Sequence, residues 1–256
     1  LSRIKELFTR KDRRILSVYC TAGFPELSST IDVMLALQEN GVDMIELGMP
    51  YSDPLADGPV IQASSHQALS NGMTISVLLE QLTAFRKKIH LPVLLMGYMN
   101  PILQYGFDKF CERAAGLGID GLILPDLPVY EYENEYGEAI KKNGLDFIFL
   151  VTPETSEERI RKVDELSTGF LYAVSSSSTT GNDKDFERVE KYLKKLKSMQ
   201  LKNPILVGFG IKDKATFDTA CLHANGAIIG TAFIKSISEN KYPVKEVGKF
   251  IQKILS

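Results

Sequence analysis

Two carboxylates, Glu46 and Asp57, have the residue type and spacing to do chemistry. Glu46 comes near the end of an apolar run, Val42 to Leu47, which reads as a short buried strand. The stretch Glu46 to Pro59 holds three prolines, two glycines and three carboxylates, so it is a shaped loop and not a helix interior. A carboxylate ending an apolar strand is expensive to bury unless it is paired or used. Acid–base work is the chemistry open to such a pair. The plainer alternative is an irregular loop whose Asp residues cap turns. His66, His90 and His223 fall at no strand end, and no His or Cys cluster suggests a metal. No lysine ends a strand either, which weakens a Schiff-base mechanism.

The elements that must position this loop follow from periodicity and breakers. A short amphipathic helix, Ser2 to Thr9, comes first. Strands are predicted at Ile15–Thr21, Val42–Leu47, Pro92–Met96, Ile119–Leu124, Asp146–Val151, Phe170–Val174, Pro204–Val207 and Ala227–Ile229. Helices are predicted at Ser29–Asn40, Val60–Ser70, Thr74–Ile89, Phe107–Leu117, Tyr132–Lys142, Ser156–Leu166, Phe186–Met199, Lys212–His223 and Val244–Leu255, with a short one opening at Gly230-Thr231. Tyr98 to Pro101 and Ser175 to Asp185 read as loops. Most strands are continuous apolar runs, as expected when both faces of a parallel sheet are covered. Eight strand-then-helix units in 256 residues, with no linker or composition shift, predict an α/β fold. The expected architecture is a (β/α)₈ TIM barrel, one domain over residues 1–256 with a short N-terminal helix. A doubly wound open sheet is the rival, but usually needs fewer strands.

In such a barrel the site lies at the C-terminal ends of the strands and in the loops that follow them. Tyr19, Tyr98, Asn100, Asp126 and Tyr172 fall there with the two carboxylates. So do Thr180-Gly181, Gly208-Phe209-Gly210 and Gly230-Thr231. Glycines let backbone N–H groups approach an anion, and a helix N-terminus adds partial positive charge, so a phosphate is the expected guest. Neither a Walker A nor a Gly-x-Gly-x-x-Gly sequence occurs, so no nucleotide is implied.

Composition narrows the class. Apolar content of 44% and charged content of 24% suit a soluble globular chain. A net charge of −2 invites neither nucleic acid nor an anionic membrane, and the lysines from Lys191 to Lys202 read as a solvated helix face. Cys20, Cys111 and Cys221 are odd in number and far apart, which predicts reduced thiols and a cytoplasmic setting. Leu1 to Arg14 is charged and amphipathic, unlike a signal peptide, and no apolar run approaches transmembrane length.

The central motif, Glu46 through Gln62, closely resembles the signature of the tryptophan synthase α chain. Leu94 to Pro101, Asp126 to Val129, Thr179-Thr180-Gly181, Gly208 to Ile211 and Gly230 to Ala232 match the same family, in its order and over essentially the whole chain. The resemblance implies a (β/α)₈ lyase of tryptophan biosynthesis that cleaves indole-3-glycerol phosphate to indole and glyceraldehyde 3-phosphate. It implies no cofactor in this chain; pyridoxal phosphate would belong to a β chain that receives the indole, in an α2β2 heterotetramer. By resemblance Glu46 is the acid–base carboxylate and Asp57 the carboxylate that holds the indole N–H. Tyr19, Tyr98, Tyr172 and Thr180 would meet substrate, and Gly181, Phe209, Gly210, Gly230 and Thr231 its phosphate. Pro50, Asp53 and Asp126 would face the β chain. Three departures are visible. Tyr19 stands where some members have phenylalanine, Gly23-Phe24-Pro25 replaces a frequent Gly-Asp-Pro, and Ser175 to Ser178 is unusually Ser-rich. A stand-alone indole-3-glycerol phosphate lyase shares these motifs and remains an alternative. So does a catalytically silent activating subunit, although the two intact carboxylates argue against it.

Overall fold

The computed structural model describes residues 2–174, 183–208, 210–238 and 243–256. Its strands are β1 (Ile15–Thr21), β2 (Met44–Gly48), β3 (Val93–Met96), β4 (Gly121–Ile123), β5 (Asp146–Phe147), β6 (Leu150–Val151), β7 (Leu171–Val174), β8 (Ile205–Gly208) and β9 (Gly226–Ile229). All pair in parallel, in the order β5-β4-β3-β2-β1-β9-β8-β7-β6. The two ends of that order, β5 and β6, are separated only by Ile148 and Phe149. The Ile148 amide still donates to Leu122 O, and Phe149 O accepts from the Tyr172 amide. One stretch of chain therefore pairs with β4 through its first half and with β7 through its second. The sheet closes on itself as the eight-stranded barrel of a (β/α)₈ fold.

Every residue of β1 is buried, and which layer a side chain joins follows the two-residue period of a strand. On β1, Leu16, Val18 and Cys20 join the layer between sheet and helices, while Ile15 packs with Met44, Leu94, Ile148 and Ile228 inside the barrel. Helix Arg3–Arg10 closes the barrel at the N-terminal ends of the strands. Ser2 caps it by accepting from the Lys5 amide, and Ile4 and Leu7 enter the inner cluster. Arg3 reaches Asp120 at 2.9 Å, and that carboxylate also accepts the Val93 amide. The N-terminal end is thus plugged and ion-paired, which leaves the other end for function.

The structure corrects several expected elements. Tyr98 to Pro101, expected as a loop, begins helix Met99–Tyr105. Pro101 is tolerated because amides in a helix's first turn have no intrahelical acceptor. The expected helix Thr74–Ile89 is α-helical only over Ile75–Gln81 and continues as a 3₁₀ turn over Leu82–Lys87. The helix expected at Tyr132 starts at Val129 and contains a π turn, Tyr132–Tyr136. Of the expected loop Ser175–Asp185, residues 183–185 already belong to helix Asp183–Ser198, and residues 175–182 lie outside the described residues.

Candidate active site

Glu46 sits on β2 beside Tyr19 of β1, with both side chains buried at the C-terminal half of the barrel. Its carboxyl group is fully buried. Oε1 accepts a hydrogen bond from Ser17 Oγ at 2.7 Å, and Oε2 has no partner among the described residues. Burial pushes the pKa up to about 8, although the Ser17 hydroxyl pulls against the rise. A carboxyl with one oxygen held, one free and a pKa near neutrality is equipped to give and take a proton.

Asp57 lies half-buried in the loop after β2. Burial raises its pKa above the ordinary carboxylate value, and the Tyr98 hydroxyl opposes the rise. The loop is held on both sides of it. Tyr98 Oη accepts the Ala56 amide at 3.0 Å, and Gln62 Nε2 donates to Asp57 O at 2.8 Å. Tyr172, on β7, has its phenol raised by burial and then by the charges of Glu46 and Asp57. Tyr19 is likewise raised by burial and then by Asp57. The structure therefore brings Glu46, Asp57, Tyr19, Tyr98 and Tyr172 into one electrostatic neighbourhood across the barrel mouth.

Two glycines make room for the tyrosines. A Cβ on Gly48 would lie 2.1 Å from the Tyr19 hydroxyl, and one on Gly208 would lie 2.2 Å from the Tyr172 ring. Gly208 thus serves as a spacer at the end of β8, a role that motif reading alone did not suggest. The remaining glycines behave differently. Gly208 of β8 pairs with Ile228 of β9, so Gly210 and Gly230 each lie two residues beyond that pair on adjacent loops. Gly210 has φ +76°, whereas a Cβ on Gly230 would meet only Ile61 and Tyr19 at 3.5 Å, an ordinary contact. Thr231 opens helix Thr231–Ser238 and is exposed. Thr180, Gly181 and Phe209 lie outside the described residues.

Pro50 is half-buried on the rim, while Asp53 and Asp126 are exposed. Asp126 also shapes its neighbour. Both its carboxylate oxygens accept the Met99 amide, at 3.1 and 3.0 Å, capping helix Met99–Tyr105 from the adjacent loop. Among the described residues, no group of three or more His, Cys, Asp or Glu side chains could hold a metal ion. Sequence reasoning missed Ser17, a serine inside an apolar strand that no motif flags.

Comparison with known proteins decides the family. The family model described as "Tryptophan synthase alpha chain" matches residues 6–254. The chain belongs to the tryptophan synthase alpha chain family. The alpha chain of Flavobacterium psychrophilum is 51% identical over 246 residues, covering 96% of each chain. That of Bacteroides thetaiotaomicron is 48% identical over 250 residues, covering 97% of this chain and 98% of the relative. Among solved structures, tryptophan synthase subunit alpha from Legionella pneumophila superposes with a TM-score of 0.90 at 35% identity, covering 99% of this chain and 97% of that one. An aminoacrylate-bound tryptophan synthase from M. tuberculosis gives 0.87 at 30% identity, covering 99% and 98%. As a member of this family the chain is a carbon–carbon lyase of tryptophan biosynthesis, cleaving indole-3-glycerol phosphate to indole and glyceraldehyde 3-phosphate.

Proposed function

We propose that Glu46 carries the proton in this retro-aldol cleavage and that Asp57 holds the indole N–H. The observation that supports this most is the buried Glu46 carboxyl, with one oxygen free and its pKa near 8. Indole C3 leaves its glycerol carbon only once protonated. Glu46, mostly in its acid form at neutral pH, supplies that proton. Ionised Asp57 balances the positive charge that appears at N1. As the C–C bond breaks, its electron pair returns to the ring, and the Glu46 carboxylate takes the proton of the adjacent hydroxyl. The products are indole and an aldehyde, and Glu46 regains its acid form. Two carboxylates in unlike environments suit these unlike roles.

Tyr19, Tyr172 and Thr180 line the substrate in this reading, and Tyr98 both lines it and pins the Asp57 loop. The phosphate lies against the backbone of Gly181, Phe209, Gly210, Gly230 and Thr231. The reaction runs on side chains, without a cofactor in this chain. A β chain carrying pyridoxal phosphate docks on the rim at Pro50, Asp53 and Asp126, in an α2β2 assembly. Three large apolar side chains support that rim. Leu55 is 91% exposed, Tyr130 73% and Leu103 46%, each on the segment following β2, β4 or β3. We read residues 1–256 as one barrel domain working in the cytoplasm. No helix among the described residues is long and apolar enough to cross a membrane.

Glu46→Gln tests the central assignment. It keeps the size of the side chain and removes the proton, so indole release should fall by about 10²- to 10⁴-fold with folding intact. A folded variant keeping more than a third of wild-type cleavage would rule the role out.

A further inference from the structure

Ser17 is fully buried on β1 and lies one inward step from Tyr19, towards the N-terminal end of the barrel. In the β1–β2 register Tyr19 stands opposite Glu46 and Ser17 opposite Met44, so Ser17 lies diagonally beneath the Glu46 carboxyl. Its hydroxyl donates to Oε1 at 2.7 Å and makes no other hydrogen bond among the described residues. Oε1 is therefore occupied. A proton placed on Oε1 would displace the Ser17 hydrogen into a site with no other acceptor, whereas Oε2 has no partner at all among the described residues. A buried donor or acceptor left unpaired is costly. The acid proton of Glu46 accordingly resides on Oε2.

We propose that Ser17 is a positioning residue for the cleavage step: by holding Oε1 it fixes the rotation of the Glu46 carboxyl and commits Oε2 to proton exchange with the substrate. Ser17 does not touch the substrate; it acts from below, through Glu46. The inference rests on the assignment of Glu46 as the proton carrier. A hydrogen bond donated to a carboxylate favours its ionised form. Ser17 therefore also moderates the upward push of burial on the Glu46 pKa, and keeps the base form within reach for the second half of the reaction.

The test compares Ser17→Ala, Ser17→Thr and Glu46→Gln in the full chain, following indole release from indole-3-glycerol phosphate as a function of pH. Ser17→Ala deletes one oxygen and should fold. Its kcat is expected to fall about tenfold or more, the cost of a loosened acid–base group. KM should stay within about twofold, because the phosphate and indole contacts lie elsewhere. The limb of the pH–kcat profile set by Glu46 should move up by about one to two pH units, the worth of a hydrogen bond to a charged group. Ser17→Thr keeps the donor and should keep the wild-type limb. An Ala variant that merely melts earlier, with kcat and pH limb unchanged, overturns the proposal, as does a Thr variant whose limb matches Ala. If Glu46→Gln itself remains active, it is the assignment of Glu46 that fails, and that outcome is distinct from either of these.

Discussion

At the scale of single residues, Glu46 is stored as an acid. Its ordinary pKa of 4.5 rises to about 8 in the folded chain, first because burial penalises the charge. A buried carboxyl that must remain neutral makes stability depend on pH. Since the folded value exceeds the unfolded one, the contribution is fully present below about pH 4.5 and is lost as pH rises through about 8. Glu46→Gln removes this titration. The difference in unfolding free energy, variant minus wild type, should therefore grow by about 3–5 kcal/mol between pH 5 and pH 9. Urea unfolding at a series of pH values measures it. Curves that stay parallel over that range mean that Glu46 titrates normally and does not wait as the acid. In the sequence Glu46 stands out because a charge ending an apolar run is anomalous by itself, and Asp57 because it lies in the proline- and glycine-shaped loop that follows. Ser17 does not, since only the register between β1 and β2 shows that its hydroxyl meets Glu46.

At the scale of elements, the strand ends do the positioning. Strand Ile15–Thr21 and helix Phe107–Leu117 are read from the sequence to the residue, because each is a clean periodic run between strong breakers. Helix Met99–Tyr105 was hidden by Asn100-Pro101, and its N-terminus depends on Asp126, a partner 27 residues away. The split of the fifth strand into β5 and β6 is equally invisible locally, since it reflects pairing with two different neighbours. The glycines after β8 and β9 need the same three-dimensional view. Gly208→Ala would drive a methyl into the Tyr172 ring, and overpacking of this kind costs about 1–3 kcal/mol. Gly230→Ala meets only ordinary contacts. The pair separates steric from ligand-binding roles. Gly208→Ala should lower the melting temperature. Gly230→Ala should leave it nearly unchanged and raise KM for indole-3-glycerol phosphate, by crowding the backbone expected to hold the phosphate. Equal KM for Gly230→Ala and wild type would place the phosphate elsewhere.

At the scale of the whole molecule, the loops after β2, β3 and β4 are tied into one rim. Asn100 donates to the Tyr51 hydroxyl at 3.1 Å, Ala56 donates to Tyr98, and Met99 donates to Asp126. Asp57 hangs from the same loop as Tyr51, Asp53 and Ala56, four residues after Asp53. A partner seated on Asp53, Leu55 and Asp126 therefore loads the ties that locate Asp57. Spatial connection alone does not establish coupling; a difference between free and bound states does. A displacement of about 1 Å at a positioned group can cost on the order of 100-fold in rate. The isolated chain should accordingly be slow, and the β chain should accelerate it. Asp53 is exposed, and within its loop Ser52 donates to its carboxylate. Asp53→Ala should thus leave the low activity of the isolated chain nearly unchanged, yet weaken stimulation by the β chain. The measurement is indole production by wild type and variant, titrated with β chain. The plateau reports coupling and the midpoint reports affinity. A variant with a weaker midpoint but a full plateau would make Asp53 a docking contact only. A wild-type chain as fast alone as in complex would remove the coupling altogether, since Asp57 would then already be in place without a partner.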